Sequence, residues 1–69
     1  MHMNTAHYQV NGLVNTPMKT QVKNALEKID GVQKVNIDLH RGSVEVDYNE
    51  PAKENEIRSE IEHVGCRII

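Results

Sequence analysis

Tryptophan and phenylalanine are absent, tyrosine occurs only twice, and the one cysteine is Cys66. With so few rings, the chain offers no platform on which the bases of single-stranded nucleic acid could stack. A formal net charge of −2 also removes the basic footprint that a general nucleic-acid binder needs. A lone thiol cannot close an internal disulfide, which excludes a cystine-stapled secreted mini-protein. No apolar run is long enough to cross a bilayer, and the N-terminus lacks the basic and apolar regions of a signal peptide. The expected location is therefore cytoplasmic, without membrane insertion. A nucleophile–base–orienter set and a glycine-rich phosphate cradle are missing too, and the chain is too short to bury a substrate pocket. No enzyme is expected.

What is present suffices for one small domain over residues 1–69. A chain of this size buries only about 60% of the surface its unfolded form exposes. Most of its Val, Ile and Leu must therefore be core. The opening Met1-His2 leaves two start residues open, Met1 and Met3. Residues 1–5 are expected to be an appended lead or to lie outside the ordered domain, and His2 carries no functional weight.

The apolar pattern changes period along the chain, and that change is the main local signal. Tyr8 and Val10 alternate with His7, Gln9 and Asn11, as in a short half-buried strand. Val22, Ala25, Leu26 and Ile29 fall on one helical stripe. Thr16 before Pro17 suits a helix start, with Thr as cap and Pro in the first turn, and Asp30-Gly31 suits its end. Val35, Ile37 and Leu39 then alternate, "HRGS" turns, and Val44, Val46 and Tyr48 form the second arm of a hairpin. After Pro51 a second helix is expected over 53–64, striped by Ile57, Ile61 and Val64 and closed by Gly65. Residues 66–69 are left as a last short strand. The order β-α-β-β-α-β, with one apolar face per element, predicts an α+β fold. It is the ferredoxin-like arrangement, a four-stranded antiparallel sheet with two helices on one face.

Particular stretches then point to a family. "VNG" ends the first strand, "VKNALEKIDGVQKVNIDLHRGSVEVDY" fills the middle, and "IEHVG" precedes the last strand. From Tyr8 to Ile69 the chain resembles the heavy-metal-associated domains of copper chaperones and copper-transporting ATPases. That family carries Gly-Met-x-Cys-x-x-Cys in its first loop. The spacing from Gly12 to Asp30 matches without insertion, so Leu13 takes the place of the Met, Asn15 that of the first Cys and Met18 that of the second.

Two thiolates at this spacing bind one soft Cu(I), and their charge and softness supply most of the affinity. Asn15 and Met18 are neutral, so alone they make a poor trap for Cu(I) and a poor site for Zn²⁺. The resemblance places the loop before the last strand beside the metal loop. Cys66 and Met18 are then expected to face each other, with His63 one helical turn away, as a substitute set for Cu(I), Ag(I) or a related soft ion. The plainer reading makes Cys66 a small half-buried hydrophobe and Met18 a packing residue. A metal bridging two copies through paired Cys66 residues would give a homodimer. His7 and His40 are read as solvated histidines of the polar sheet face.

Charge adds a further expectation. Lys19, Lys23 and Lys28 make the first helix basic, while Glu54, Glu56, Glu60 and Glu62 outweigh Lys53 and Arg58 on the second. The Lys19/Lys23 surface resembles the one with which a family chaperone docks onto an acidic partner domain. Two solvated helix faces, with Glu54–Arg58 and Arg58–Glu62 paired along the second, would explain the same pattern. The leading functional expectation is chaperone-like soft-metal binding at an altered, weakened site. The alternative is a metal-free interaction or regulatory module. Its implied partner is a metal-transporting ATPase domain or another heavy-metal-associated domain.

Overall fold

A computed structural model describes residues 3–69; Met1-His2 lie outside the described residues. Six elements follow one another: β1 (Asn4–Asn11), α1 (Thr16–Glu27), β2 (Val32–Asp38), β3 (Ser43–Tyr48), α2 (Glu54–Val64) and β4 (Arg67–Ile68). The strands form one sheet in the order β2-β3-β1-β4, and each neighbouring pair is antiparallel. The fold is the ferredoxin-like α+β arrangement that the sequence predicts.

Alternation in the strands decides which face is dry. Ala6, Tyr8 and Val10 of β1, Val44 and Val46 of β3 and Val35 of β2 are buried on one side. The register sets Tyr8 beside Val44 and Ala6 beside Val46, with Val35 across from Val46. Val22 and Leu26 from α1 and Ile57 and Ile61 from α2 close that face and are fully buried. Each such side chain contributes roughly 1.5–3 kcal/mol. The other sheet face stays polar; there Thr5 Oγ1 donates to Asp47 Oδ1 at 2.8 Å. Because β2 runs parallel to β1, α1 must return antiparallel to them. By the same logic α2 runs with β1, so the two helices lie antiparallel to each other.

Several boundaries differ from expectation, each for a local reason. Asn4 and Thr5, expected to lie outside the ordered domain, belong to β1 and pair with Tyr48 and Asp47. They carry no apolar alternation, so only the neighbouring strand specifies them. The α1 helix stops at Glu27 with Lys28 as its C-cap, which leaves Ile29 beyond the helix as a partly buried anchor. Leu39 falls in the turn after β2 rather than in the strand. Neither Glu54–Arg58 nor Arg58–Glu62 closes as an ion pair; among the described residues the one pair within 4 Å joins Arg41 to Asp38, at 3.9 Å. Glu54 instead accepts from Tyr8 Oη at 3.3 Å, and Lys53 begins α2 without a side-chain cap.

Candidate functional site

The loop from β1 to α1 is fixed at both ends. Leu13 is buried in the core and anchors the loop. A Cβ on Gly12 would lie 3.2 Å from the Gly65 carbonyl and 3.5 Å from Cys66 Cα, so the loop passes directly against the α2–β4 corner. Between these anchors Val14 points outward, 79% exposed.

At its other end the loop is held by Asn15. Its Oδ1 accepts from the Met18 backbone N–H at 2.9 Å, and its carbonyl accepts from Lys19 N–H at 3.1 Å. Asn15 is therefore the N-cap of α1, and Thr16, the expected cap, is the first helical residue. Asn ranks among the best N-caps, because its short side chain reaches back to the free N–H groups of the first turn. That signal stood in the sequence, but the resemblance had marked the position as a metal ligand.

The soft donors sit at the same corner. Met18 is half-buried and packs against the core. Its terminal methyl lies 3.3 Å from where a Cβ on Gly65 would stand. Cys66 follows at once and is buried, 3% exposed. Burial pushes its thiol above the ordinary 9.0, since a thiolate would lose its hydration there. His63 is exposed in the last turn of α2. The fold thus brings Met18 to the Gly65–Cys66 corner and leaves His63 on the solvent side of its helix. Among the described residues no three His, Cys, Asp or Glu side chains gather as a metal-holding cluster.

Lys19 is half-buried and Lys23 exposed in the first two turns of α1, a helix with no acidic residue in its first turn. No Asp or Glu precedes Glu27 anywhere in the chain. Around the neutral loop, the α1 side is thus purely cationic. On the opposite, polar face of the sheet lies an open groove of about 300 Å³ lined by His7, Asn36, Asp38, Arg41 and Glu45, among others. It takes in none of Asn15, Met18, His63 and Cys66. The exposure of Val14 escaped sequence reading, since a lone Val between loop residues carries no periodic signal.

Comparison with known proteins agrees with this geometry. The model of the heavy-metal-associated domain matches residues 18–66. No curated protein matches the chain. Among solved structures, the CsoZ metallochaperone is 28% identical with a TM-score of 0.93, covering 99% of both chains. The CopZ metallochaperone is 27% identical with a TM-score of 0.91, over 96% of this chain and 100% of the other. A copper binding domain from HMA7, a P-type ATPase, is 26% identical with a TM-score of 0.87, over 94% and 92% of the two chains. The chain belongs to the heavy-metal-associated domain family, whose members handle metals rather than catalyse reactions.

Proposed function

We propose that this domain serves soft-metal handling as a docking module. It binds an intact metal-carrying relative, such as the heavy-metal-associated domain of a metal-transporting ATPase, and holds Cu(I) itself only weakly. The observation that carries this reading is the hydrogen bond from Met18 N–H to Asn15 Oδ1. The position where a relative presents its first thiolate is here engaged in starting a helix. An amide oxygen is also the wrong donor for a soft ion. The remaining thiol is buried and held in its protonated form, so a metal would have to open the corner and displace a proton as well. Lys19 and Lys23 then supply the recognition, steering an acidic surface toward the exposed Val14.

A second reading keeps a residual soft-metal site at Met18 and Cys66. The contact of the Met18 methyl with Gly65 favours it, because that contact places the thioether beside the residue preceding the thiol.

One titration separates the two. Cu(I) is competed against a chromophoric chelator under reducing conditions, using the parent, Cys66→Ser and the double variant Asn15→Cys/Met18→Cys. The docking reading expects no competition from the parent or Cys66→Ser, and tight 1:1 binding by the double-cysteine variant. A parent that holds one ion tightly and loses it in Cys66→Ser would establish the second reading instead.

A further inference from the structure

The helix layer shows one basic helix beside one acidic helix, and among the described residues neither is neutralised by an ion pair. Along α1 and its C-cap, Lys19, Lys23 and Lys28 stand against Glu27 alone. Along α2, Glu54, Glu56, Glu60 and Glu62 stand against Arg58. Apart from the half-buried Lys19 and Glu60, all of these side chains are exposed. Among the described residues no ion pair within 4 Å joins the two helices, since the one such pair lies on the β2–β3 turn.

From this arrangement we infer that the helix layer is a self-complementary surface that pairs with a second copy of the chain. A two-fold axis parallel to the helices, lying in the interface, sets α1 of one copy on α2 of the other, and α2 on α1. Such an axis preserves height along the helices, so residues at equal height meet. The Met18 methyl reaches Gly65, so the start of α1 lies beside the end of α2, and the two residues are taken as the common level. Counting about 1.5 Å of rise per residue from that level, Lys19, Lys23 and Lys28 stand close in height to Glu62, Glu60 and Glu56. Glu27 falls level with Glu56 by the same count, a meeting of like charge. Three of these four meetings are of opposite charge, and symmetry makes each of them twice.

The size of the surface sets the strength. Two helices of 12 and 11 residues side by side present roughly 350 Å² per copy by helix dimensions. A standard stable interface uses about 800 Å² per partner. No large exposed hydrophobe lies on either helix, the exposed ones being Met3, Val14 and Ile69. The pair is therefore weak, electrostatic and reversible, and it covers Lys19 and Lys23. This inference stands apart from the docking reading, and its test contains no other protein.

The test is a charge exchange read by sedimentation equilibrium at low salt, with a copper chelator present. Lys19→Glu/Lys23→Glu makes both helices acidic; Glu60→Lys/Glu62→Lys makes both basic. The parent is expected to dimerise at about 1 mM and to dissociate in about 0.5 M salt, where charges are screened within a few ångströms. Each variant alone is expected to be monomeric, and their equimolar mixture to form a heterodimer at least about ten-fold tighter than the parent dimer. Circular dichroism confirms folding of each variant, and Lys23→Glu with Glu62→Lys replaces any double variant that does not fold. A monomeric parent at the highest concentration, a monomeric mixture, or a dimer that persists in either variant alone would each overturn the pairing.

Discussion

The two helices solve the same problem at their ends by different means. At its start α1 is capped by a side chain, with Asn15 Oδ1 on Met18 N–H, and has no acidic residue in its first turn. The start of α2 has the reverse: Lys53 gives no side-chain bond, but Glu54 and Glu56 complement the helix dipole. At their far ends both helices lead into a glycine with positive φ. Gly31 lies three residues beyond the Lys28 C-cap of α1, whereas Gly65 is itself the C-cap of α2. The surroundings differ. A Cβ on Gly31 would run into backbone, the Asn49 carbonyl and, at 2.7 Å, the Ala52 nitrogen. One on Gly65 would meet only the flexible end of Met18. The lesson is that α1 is tied to the loop by a specific bond and to the β3–α2 connection by a rigid one. The ends of α2 rest on charge and on a side chain that can move.

Breaking the rigid tie should cost the most. Gly31→Ala combines a strained backbone with a clash that no side-chain motion relieves, and should lose about 3 kcal/mol or more of unfolding free energy in urea. For a domain of this size that is a large fraction of the total. Gly65→Ala keeps the backbone strain but displaces only a methyl, so about 1–2 kcal/mol is expected. If the two substitutions cost the same, the contrast between the exits is wrong. Asn15→Ala should lose about 1 kcal/mol and speed hydrogen exchange at the Met18 amide. Lys53→Asp should do the opposite at α2, adding about 0.5–1 kcal/mol by supplying the missing cap.

Alkaline pH sharpens the comparison at the α2 start, where Tyr8 donates to Glu54. Burial first, then the charge of Glu54 and its hydrogen bond, push Tyr8 far above its ordinary 10.0. Burial likewise raises Cys66 above 9.0. Both groups are neutral when protonated, so above these values the folded state holds protons that the unfolded chain releases. Stability is then fully present below about pH 9 and falls as pH rises further. Tyr8→Phe should flatten the decline above pH 10, and Cys66→Ser the part that begins near pH 9. A stability curve that stays level to pH 11 would contradict both shifts.

Much of the fold was legible because burial follows period. Every fully buried residue on the helices, Val22, Leu26, Ile57 and Ile61, lay on a stripe visible in the sequence. Asn4 and Thr5 were not legible as strand, since polar residues at a strand start are specified by Tyr48 and Asp47 far along the chain. The candidate site was legible by position more than by state. The Met18 methyl lies against Gly65, the residue before Cys66. The cap at Asn15 was hidden by the role its position has in relatives, and the depth of Cys66 depends on how Gly12 and Met18 close over the corner. Instead of pairing with Arg58, Glu54 accepts from Tyr8 on another element, a partner that i, i+4 spacing cannot show.

The place of β1 in the sheet has a consequence for biosynthesis. It leaves the ribosome before the other three strands of the domain, yet its neighbours are β3 and β4. Until Arg67 and Ile68 have emerged to pair with Asn11 and Val10, one edge of this central strand stays bare. The α1 helix can form early on its own cap, but the sheet beneath it cannot close until β4, the last of the four strands, has emerged. Closure of this sheet therefore waits for its last strand, rather than growing stepwise from β1.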